Sequence, residues 1–473
     1  MIFDIDRRDP ERTALLSDGG QSVSYGILSD HIRRIGEAVP AGSLAFCLCR
    51  NVPESVIGYL GLVQNSCAPL LLDAKLDPAR FAGLFSCYRP SYLWIPEDLS
   101  GSFQPYIRKE ILEMDGYCLC ATGQERADLN QSLALLLATS GSTGDPRLVR
   151  LSRENIMSNA AAICRYLMIT QEERPITTLP MHYTYGLSII NSHLLAGACV
   201  LMTSSSYVQQ PFWDFFSREK ATSFGGVPYT YQILDRLHIF RGKLPSLRSC
   251  TQAGGKLPEA LQRKIAVWAE GSGVKFFVMY GQTEATARMA YLPPQDCLNK
   301  PGSIGIPIPG GRFEIIDKEG NVLQQPGQTG ELVYIGPNVC LGYAACREDL
   351  ARGDDNRGRL LTGDIARKDE DGYYYIVGRK KRFLKIFGIR ISLDECEKLL
   401  KEEYPGTEIF CGGEDNDLRI YCRDRKAAAE GAVFLADQLH QSRSAFSSFY
   451  ITQIPRNEYG KILYKEFDRY VAS

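Results

Sequence analysis

Short apolar runs bounded by turn residues recur along the chain, at Ala45–Leu48, Ala68–Asp73, Leu133–Ala138, Ile176–Leu179, Cys199–Thr203 and Lys275–Met279. Runs of this length predict buried strands, and their alternation with amphipathic stretches predicts an α/β layer fold with largely parallel sheets. Between them, Glu54–Gln64 and Pro258–Glu270 carry apolar residues at helical spacing, and Pro258 suits the first turn of its helix. From about Gly305 the texture changes to β-rich segments joined by Gly and Asp turns: GRFEIIDKEGNVL, TGELVYIG and DGYYYIVGR. A second change follows Gly378, where the basic run RKKRFLK precedes SLDECEKLLKEEY, a predicted helix with Ser392 as N-cap and Glu395 completing a capping box. These breaks place a domain boundary near Arg379, giving units 1–378 and 379–473. No internal repeat is visible.

Length adds scale: 473 residues amount to roughly three domain-sized units. With 44% apolar and 23% charged residues the chain has an ordinary globular composition, which excludes wholesale disorder and fibrous repeats. Lys and Arg total 54 against 55 Asp and Glu, so no global field draws nucleic acid or an anionic membrane, and any bound anion needs a local site. The fifteen cysteines include the close pairs Cys47/Cys49 and Cys118/Cys120, whose one-residue spacing fits neither zinc nor thioredoxin motifs; most are expected reduced and buried. The N-terminal residues lack a basic segment followed by an apolar stretch, and no run of about 18 apolar residues appears, so no membrane span and a cytoplasmic location are expected.

The sharpest chemical signal is LALLLATSGSTGDPRLVR, a strand running into Thr139, Ser140, Gly141, Ser142, Thr143 and Gly144. Successive N–H groups, close approach at Gly and four hydroxyls suit a polyphosphate. No Gly-Lys-Ser/Thr closes the loop, so it is not a Walker A motif, and Arg147 supplies the nearby cation. A surface turn after a strand is the alternative. Tyr280, Gly281, Gln282, Thr283 and Glu284 follow another predicted strand, where an open α/β sheet binds its ligands. Glu284 offers the carboxylate oxygen that Mg²⁺ prefers; the alternative is a helix N-terminus whose dipole Thr283 or Glu284 complements.

In order along the chain, TSGSTGDPRLVRLS, PMHYTYGL, QAGGKLPEAL, YGQTEAT, GELVYIGPNVCLGY, LLTGDIARKDEDGYYYIVGRKKRFLKIFGIRISLDECE and PRNEYGKILYKEF resemble the motifs of the adenylate-forming superfamily. That superfamily contains acyl- and aryl-CoA synthetases, adenylation domains of nonribosomal peptide synthetases and firefly luciferase. The resemblance spans nearly the whole chain. It implies a large N-terminal α/β domain with a β-rich subdomain, and a small mobile C-terminal α+β domain. It also implies conversion of a carboxylate and MgATP to an acyl-adenylate with loss of pyrophosphate, followed by transfer to the thiol of CoA or of a separate carrier protein's phosphopantetheine.

By this resemblance Thr139–Gly144 and Arg147 hold phosphates, Gly254, Gly255 and Lys256 lie along the adenine, and Tyr280 packs on it. Thr283 bonds the phosphate and Glu284 holds Mg²⁺. Asp364 accepts the ribose hydroxyls, reinforced by Arg379. Lys461 is the mobile cation that positions and stabilises the adenylation step. Lys381 matches the hinge and is Lys as in the luciferase-like branch, Gly388 lines the pantetheine path, and Lys385 meets the acceptor or belongs to an exposed basic ribbon. His182, Tyr183, Tyr185, Gly225, Gly226, Tyr229 and Tyr231 border the acyl pocket, whose aromatic character fits an apolar or planar tail. Two positions depart from the family: Arg147 stands where Lys is usual, with a planar, bulkier head, and the common His falls at Tyr183. No acidic partner for a substrate ammonium is found around PMHYTYGL, which disfavours an α-amino acid. Rival readings are a catalytically silent nucleotide-binding protein and a luciferase-like oxygenase.

Overall fold

Leu44–Cys49 shows why the apolar runs become strands: all six residues are buried, as a strand covered on both faces requires. The structure, a computed structural model, describes residues 1–138, 147–380, 382–387, 389–457, 460 and 462–472. The chain divides into two units, residues 1–312 with 334–360, and residues 313–333 with 361–473. The expected boundary near Arg379 falls inside the second unit, at the end of the strand Tyr374–Arg379.

The first unit holds a nine-stranded and an eight-stranded sheet. Both are parallel in the middle and antiparallel at their ends. Ser223–Gly226, Ser249–Gln252 and Lys275–Tyr280 pair in parallel, whereas Ala290–Leu292 returns antiparallel to Lys275–Tyr280. In the other sheet Leu44–Cys49, Ala68–Asp73 and Leu133–Ala138 run parallel, and Leu148–Ser152 returns beside Leu133–Ala138. One continuous core draws Leu15 and Val200 from the first sheet, Cys47 and Leu71 from the second, and Leu60, Ile156 and Ile190 from helices Pro53–Gln64, Arg153–Leu167 and Thr184–Leu195.

Three expectations shift by a few residues. The strand expected over Ile176–Leu179 stops at Ile176. Thr177 N–H still reaches Leu201 O at 2.9 Å, but at Thr178 the side-chain hydroxyl takes over, bonding Gly225 O. Pro258 is the N-cap of Glu259–Ser272 rather than a first-turn residue, its carbonyl accepting the helix-opening bond from Gln262 N–H at 2.9 Å. Ser392 caps Leu393–Glu403 by accepting from Glu395 N–H, without the return bond of a full capping box among the described residues. Ser392 also closes the hairpin ladder opposite Phe383. A complete box forms instead at Ser152 and Asn155, opening Arg153–Leu167.

All fifteen cysteines are free and most are buried, and burial pushes the thiols of Cys47 and Cys49 well above the usual range, so neither is a ready nucleophile. No helix of the described residues is long and apolar enough to cross a membrane.

Most of a four-stranded sheet, Arg312–Ile316, Thr329–Ile335, Arg359–Lys368 and Tyr374–Arg379, falls in the second unit. It continues into a hairpin, Phe383–Ile386 with Ile389–Ser392, and a three-stranded sheet backed by Leu393–Glu403 and Arg425–Gln438. Ile386, Leu400, Ile409, Ile420 and Leu435 are fully buried between them. Arg382 knots this unit together. Its guanidinium bonds Asp394, Glu397 at 2.6 Å, Cys411 O at 2.9 Å and the Tyr464 hydroxyl at 3.0 Å, and it lies 4.0 Å over the Tyr464 ring.

Candidate active site

The strand Lys275–Tyr280 ends in a turn built under tight constraint. A side chain at position 281 would place its first carbon 1.5 Å from Ala287 O, so only glycine lets the chain fold back there. The 3₁₀ turn Thr283–Ala285 follows, with Thr286 and Ala287 at φ 58° and 127°. These unfavourable torsions persist because Asn338 over-determines them. Its amide donates to Ala285 O at 2.8 Å and Arg288 O at 3.0 Å, and its own oxygen is fixed by the Tyr334 hydroxyl at 2.8 Å. Thr286 Oγ1 in turn donates to Asn338 O at 2.7 Å.

Glu284 is thereby held at both ends. Its carbonyl accepts from Cys340 N–H at 2.8 Å, and its Oε1 accepts from the Tyr343 hydroxyl at 2.6 Å. Burial, and then the Glu284 charge, push Tyr343 far above the usual phenol range, so it remains a donor; Arg147 acts on it in the opposite direction. Arg147 is exposed where Leu148–Ser152 begins. The strand bearing Tyr343 is fastened from below by Arg150, whose side chain is fully buried. Arg150 donates to the carbonyls of Tyr343 at 3.2 Å, Leu341 at 3.1 Å and Arg352, and to Asp355 Oδ2 at 2.6 Å. Gly342, at φ 126°, makes room for the pair, since a side-chain carbon there would stand 2.5 Å from Asp355 Oδ2.

Gly254, Gly255 and Lys256 follow the neighbouring strand Ser249–Gln252 and are exposed. Gln252 steadies the loop by donating to Gly255 O at 2.9 Å. Tyr183 reaches the same loop: a first side-chain carbon at Gly254 would lie 2.7 Å from its hydroxyl. Its ring centroid is 6.4 Å from that of Tyr185, whose hydroxyl donates to Thr251 O at 2.8 Å. At Gly225 an added carbon would be 3.0 Å from the Tyr185 hydroxyl, so Tyr183, Tyr185, Gly225 and the loop at Gly254 form one contiguous wall. His182 Nε2 lies 4.0 Å from Asp73 Oδ2, and Tyr229 is half-buried. Gly226 abuts Thr230 and Tyr231. Tyr231 is fully buried, with its ring parallel to Phe240 and its hydroxyl on Thr251 O, which makes it a support of the wall.

In the second unit Asp364 and Arg379 are direct cross-strand partners, with Arg379 Nε 2.9 Å from Asp364 Oδ1. Asp364 is 2% exposed and the Arg379 side chain 55%, so the carboxylate is aimed while the guanidinium stays solvated. Arg379 N–H donates to Asp394 Oδ2 at 3.0 Å. Lys385 is exposed, its N–H on Asp415 Oδ1 at 2.8 Å. Thr139–Gly144, Lys381, Gly388 and Lys461 lie outside the described residues.

Sequence reasoning missed four polar residues of the first unit's site: Arg150, Arg288, Asn338 and Tyr343. Arg288 is 2% exposed, with its guanidinium carbon 3.9 Å over the Tyr185 ring. Nothing in the sequence marked it as interior. Chemically, one carboxylate with a phenol donor and a guanidinium nearby can bind a divalent cation that takes its other ligands from phosphates and water. Among the described residues no cluster of three or more His, Cys, Asp or Glu offers a fuller cage.

The family model of the AMP-binding enzymes matches residues 3–344. A sulfoacetate–CoA ligase of Cupriavidus necator is 30% identical, over 96% of this chain and 94% of its own length. An oxalate–CoA ligase of Arabidopsis thaliana is 25% identical over 94% and 95%. Among solved structures, O-succinylbenzoate coenzyme A synthetase from Bacillus subtilis in complex with AMP shares the fold at a TM-score of 0.79 and 22% identity, covering 98% of this chain and 97% of that one.

Proposed function

From the premise that the chain belongs to the AMP-binding enzyme family and is an adenylate-forming ligase, we propose that it joins a carboxylic acid to CoA through an acyl-adenylate. The observation that carries this reading is Glu284, fixed beyond the carboxyl end of the strand Lys275–Tyr280 between Tyr343 and Cys340. A carboxylate so oriented suits a nucleotide-bound Mg²⁺, whose contribution is to neutralise phosphate charge.

The chain's own residues then divide the work. Thr139–Gly144 and Arg147 receive phosphates, Gly254–Lys256 and Tyr280 the adenine, and Thr283 a phosphate oxygen. Gln282 donates toward the Tyr280 hydroxyl at 3.4 Å and keeps that ring in place. Asp364 takes the ribose hydroxyls and Arg379 holds Asp364 in line. Attack of the acid on the α-phosphate concentrates negative charge on a small volume, and Lys461 supplies a compact cation there. Transfer to the thiol follows a change of torsion at Lys381, with Gly388 leaving room for the pantetheine arm.

CoA is the acceptor because relatives across the full length of the chain are named CoA ligases. Oxalate, sulfoacetate and O-succinylbenzoate differ in size and shape, so the acid is decided by this chain's own pocket wall. The test is acid-dependent pyrophosphate release across a carboxylate panel, with Lys461→Ala as control and CoA and a holo carrier protein offered to the best acid. Loss of release in Lys461→Ala with an unchanged melting transition supports the assignment, near-normal release in it sinks the role of Lys461, and no release with any acid sinks the reading. Thioester formation on the carrier protein and not on CoA would replace the acceptor.

A further inference from the structure

Resting on the acid-activating reading above, we propose that the acid carries a second anionic group and that Arg288 receives it. Arg288 is an anomaly in the first unit. A buried cation is ordinarily paired, because water's stabilisation has been given up. Arg288 is 2% exposed, yet its Nε has no hydrogen-bond partner, and among the described residues its guanidinium makes no ion pair. Its contact is a face, not a charge: the Tyr185 ring at 3.9 Å. Stacking on an aromatic ring orients a guanidinium but leaves its in-plane donors unused.

The main chain gives the head no freedom to retreat. Arg288 O accepts from both Asn159 Nδ2 at 2.9 Å and Asn338 Nδ2 at 3.0 Å, the second being the clamp that sets the Glu284 turn. The cation is therefore positioned by the same residues that position the expected metal ligand. It faces the wall assigned to the acyl group. Tyr183 and Tyr185, which border that wall, are raised by burial, Tyr185 to about 12, and both feel Arg288 as the leading opposing influence.

A planar fork with open donors matches a carboxylate or another oxyacid head in bidentate geometry. A purely apolar tail would leave this buried charge uncompensated in the complex, and a substrate ammonium would meet like charge. The structure thus assigns the pocket to acids such as α,ω-dicarboxylates or sulfocarboxylates, with one carboxylate activated and the second head on Arg288. This replaces the apolar or planar tail that aromatic composition suggested.

Matched pairs test it: succinate, glutarate, adipate and 3-sulfopropionate against the monomethyl esters of the three diacids and propionate, read as kcat/KM for pyrophosphate release. The wild-type enzyme is expected to favour at least one dianion over its uncharged counterpart by tenfold or more. In Arg288→Gln that ratio should fall by on the order of tenfold or more, to near one, with Arg288→Lys recovering part of it. Equal use of dianion and ester by the wild-type enzyme, or the same ratio in Arg288→Gln, overturns the proposal while leaving acid activation intact. If no acid releases pyrophosphate, activation itself fails, and calorimetric titration with the same dianions decides the anion site separately. Binding lost in Arg288→Gln supports it, and equal or absent binding in both proteins overturns it.

Discussion

Replacing Arg150 with Met is expected to destabilise the first unit by about 3 kcal/mol. Arg150 fastens three main-chain carbonyls and Asp355 from a fully buried position. Met fills similar volume but takes this donor from the part-buried carbonyls of Tyr343 and Arg352, each loss costing about 1–3 kcal/mol where water does not replace it, while Leu341 O keeps Asp355 N–H at 2.8 Å. Two effects reduce the sum. Asp355 is 37% exposed and keeps Arg352 at 3.1 Å, so it is not stranded, and removing Arg150 recovers the desolvation that pulls its own pKa below the usual guanidinium value. The three tryptophans, Trp94, Trp213 and Trp268, all lie in the first unit, so tryptophan fluorescence in urea follows that unit's unfolding. Arg150→Lys, which keeps charge but not the fork, should lose about 2 kcal/mol. A loss below about 1 kcal/mol for Arg150→Met at unchanged urea slope would refute the view that these hydrogen bonds hold the Tyr343 strand.

Two further outcomes follow from the same geometry. His193 is buried with Nδ1 2.8 Å from Ile189 O, and burial pulls its pKa from 6.5 to about 4. The unfolded chain therefore binds a proton first on acidification: the stability contributed is complete above pH 6.5 and drains as pH falls toward 4. Between pH 7.5 and 5 the wild-type chain should lose about 2 kcal/mol more than His193→Asn, and parallel pH profiles would discount this. Tyr343→Phe should raise the Mg²⁺ concentration for half-maximal pyrophosphate release by roughly tenfold, about 1.4 kcal/mol of lost orientation at Glu284; an unaltered Mg²⁺ dependence would remove Tyr343 from the metal site.

The buried strands were legible because a run such as Ala68–Asp73 or Leu133–Ala138 has one stable environment, the middle of a covered sheet. Ile176–Leu179 looked the same but ended early, because a hydroxyl at Thr178 can satisfy a carbonyl that hydrophobic pattern does not register. The turn Tyr280–Glu284 was readable since its residues are contiguous. What supports it was not. Asn338, Tyr343 and Arg150 come from distant segments and look like ordinary polar residues, and arginine is so rarely buried that nothing in the sequence marks Arg150 or Arg288 as interior. Asp364 and Arg379, the proposed ribose pair, lie fifteen residues apart in the chain and meet only through strand register.

The knot at Arg382 has a mechanical meaning. Residue 382 directly follows the proposed pivot, and its guanidinium grips Tyr464, three positions beyond Lys461. Arg382 thus ties the residue after the proposed pivot to Tyr464, with Glu397 and Asp394 bracing the guanidinium from inside. Under the proposed pivot, Arg382 and Tyr464 would turn as one piece, as through a stiff crank rather than a tether.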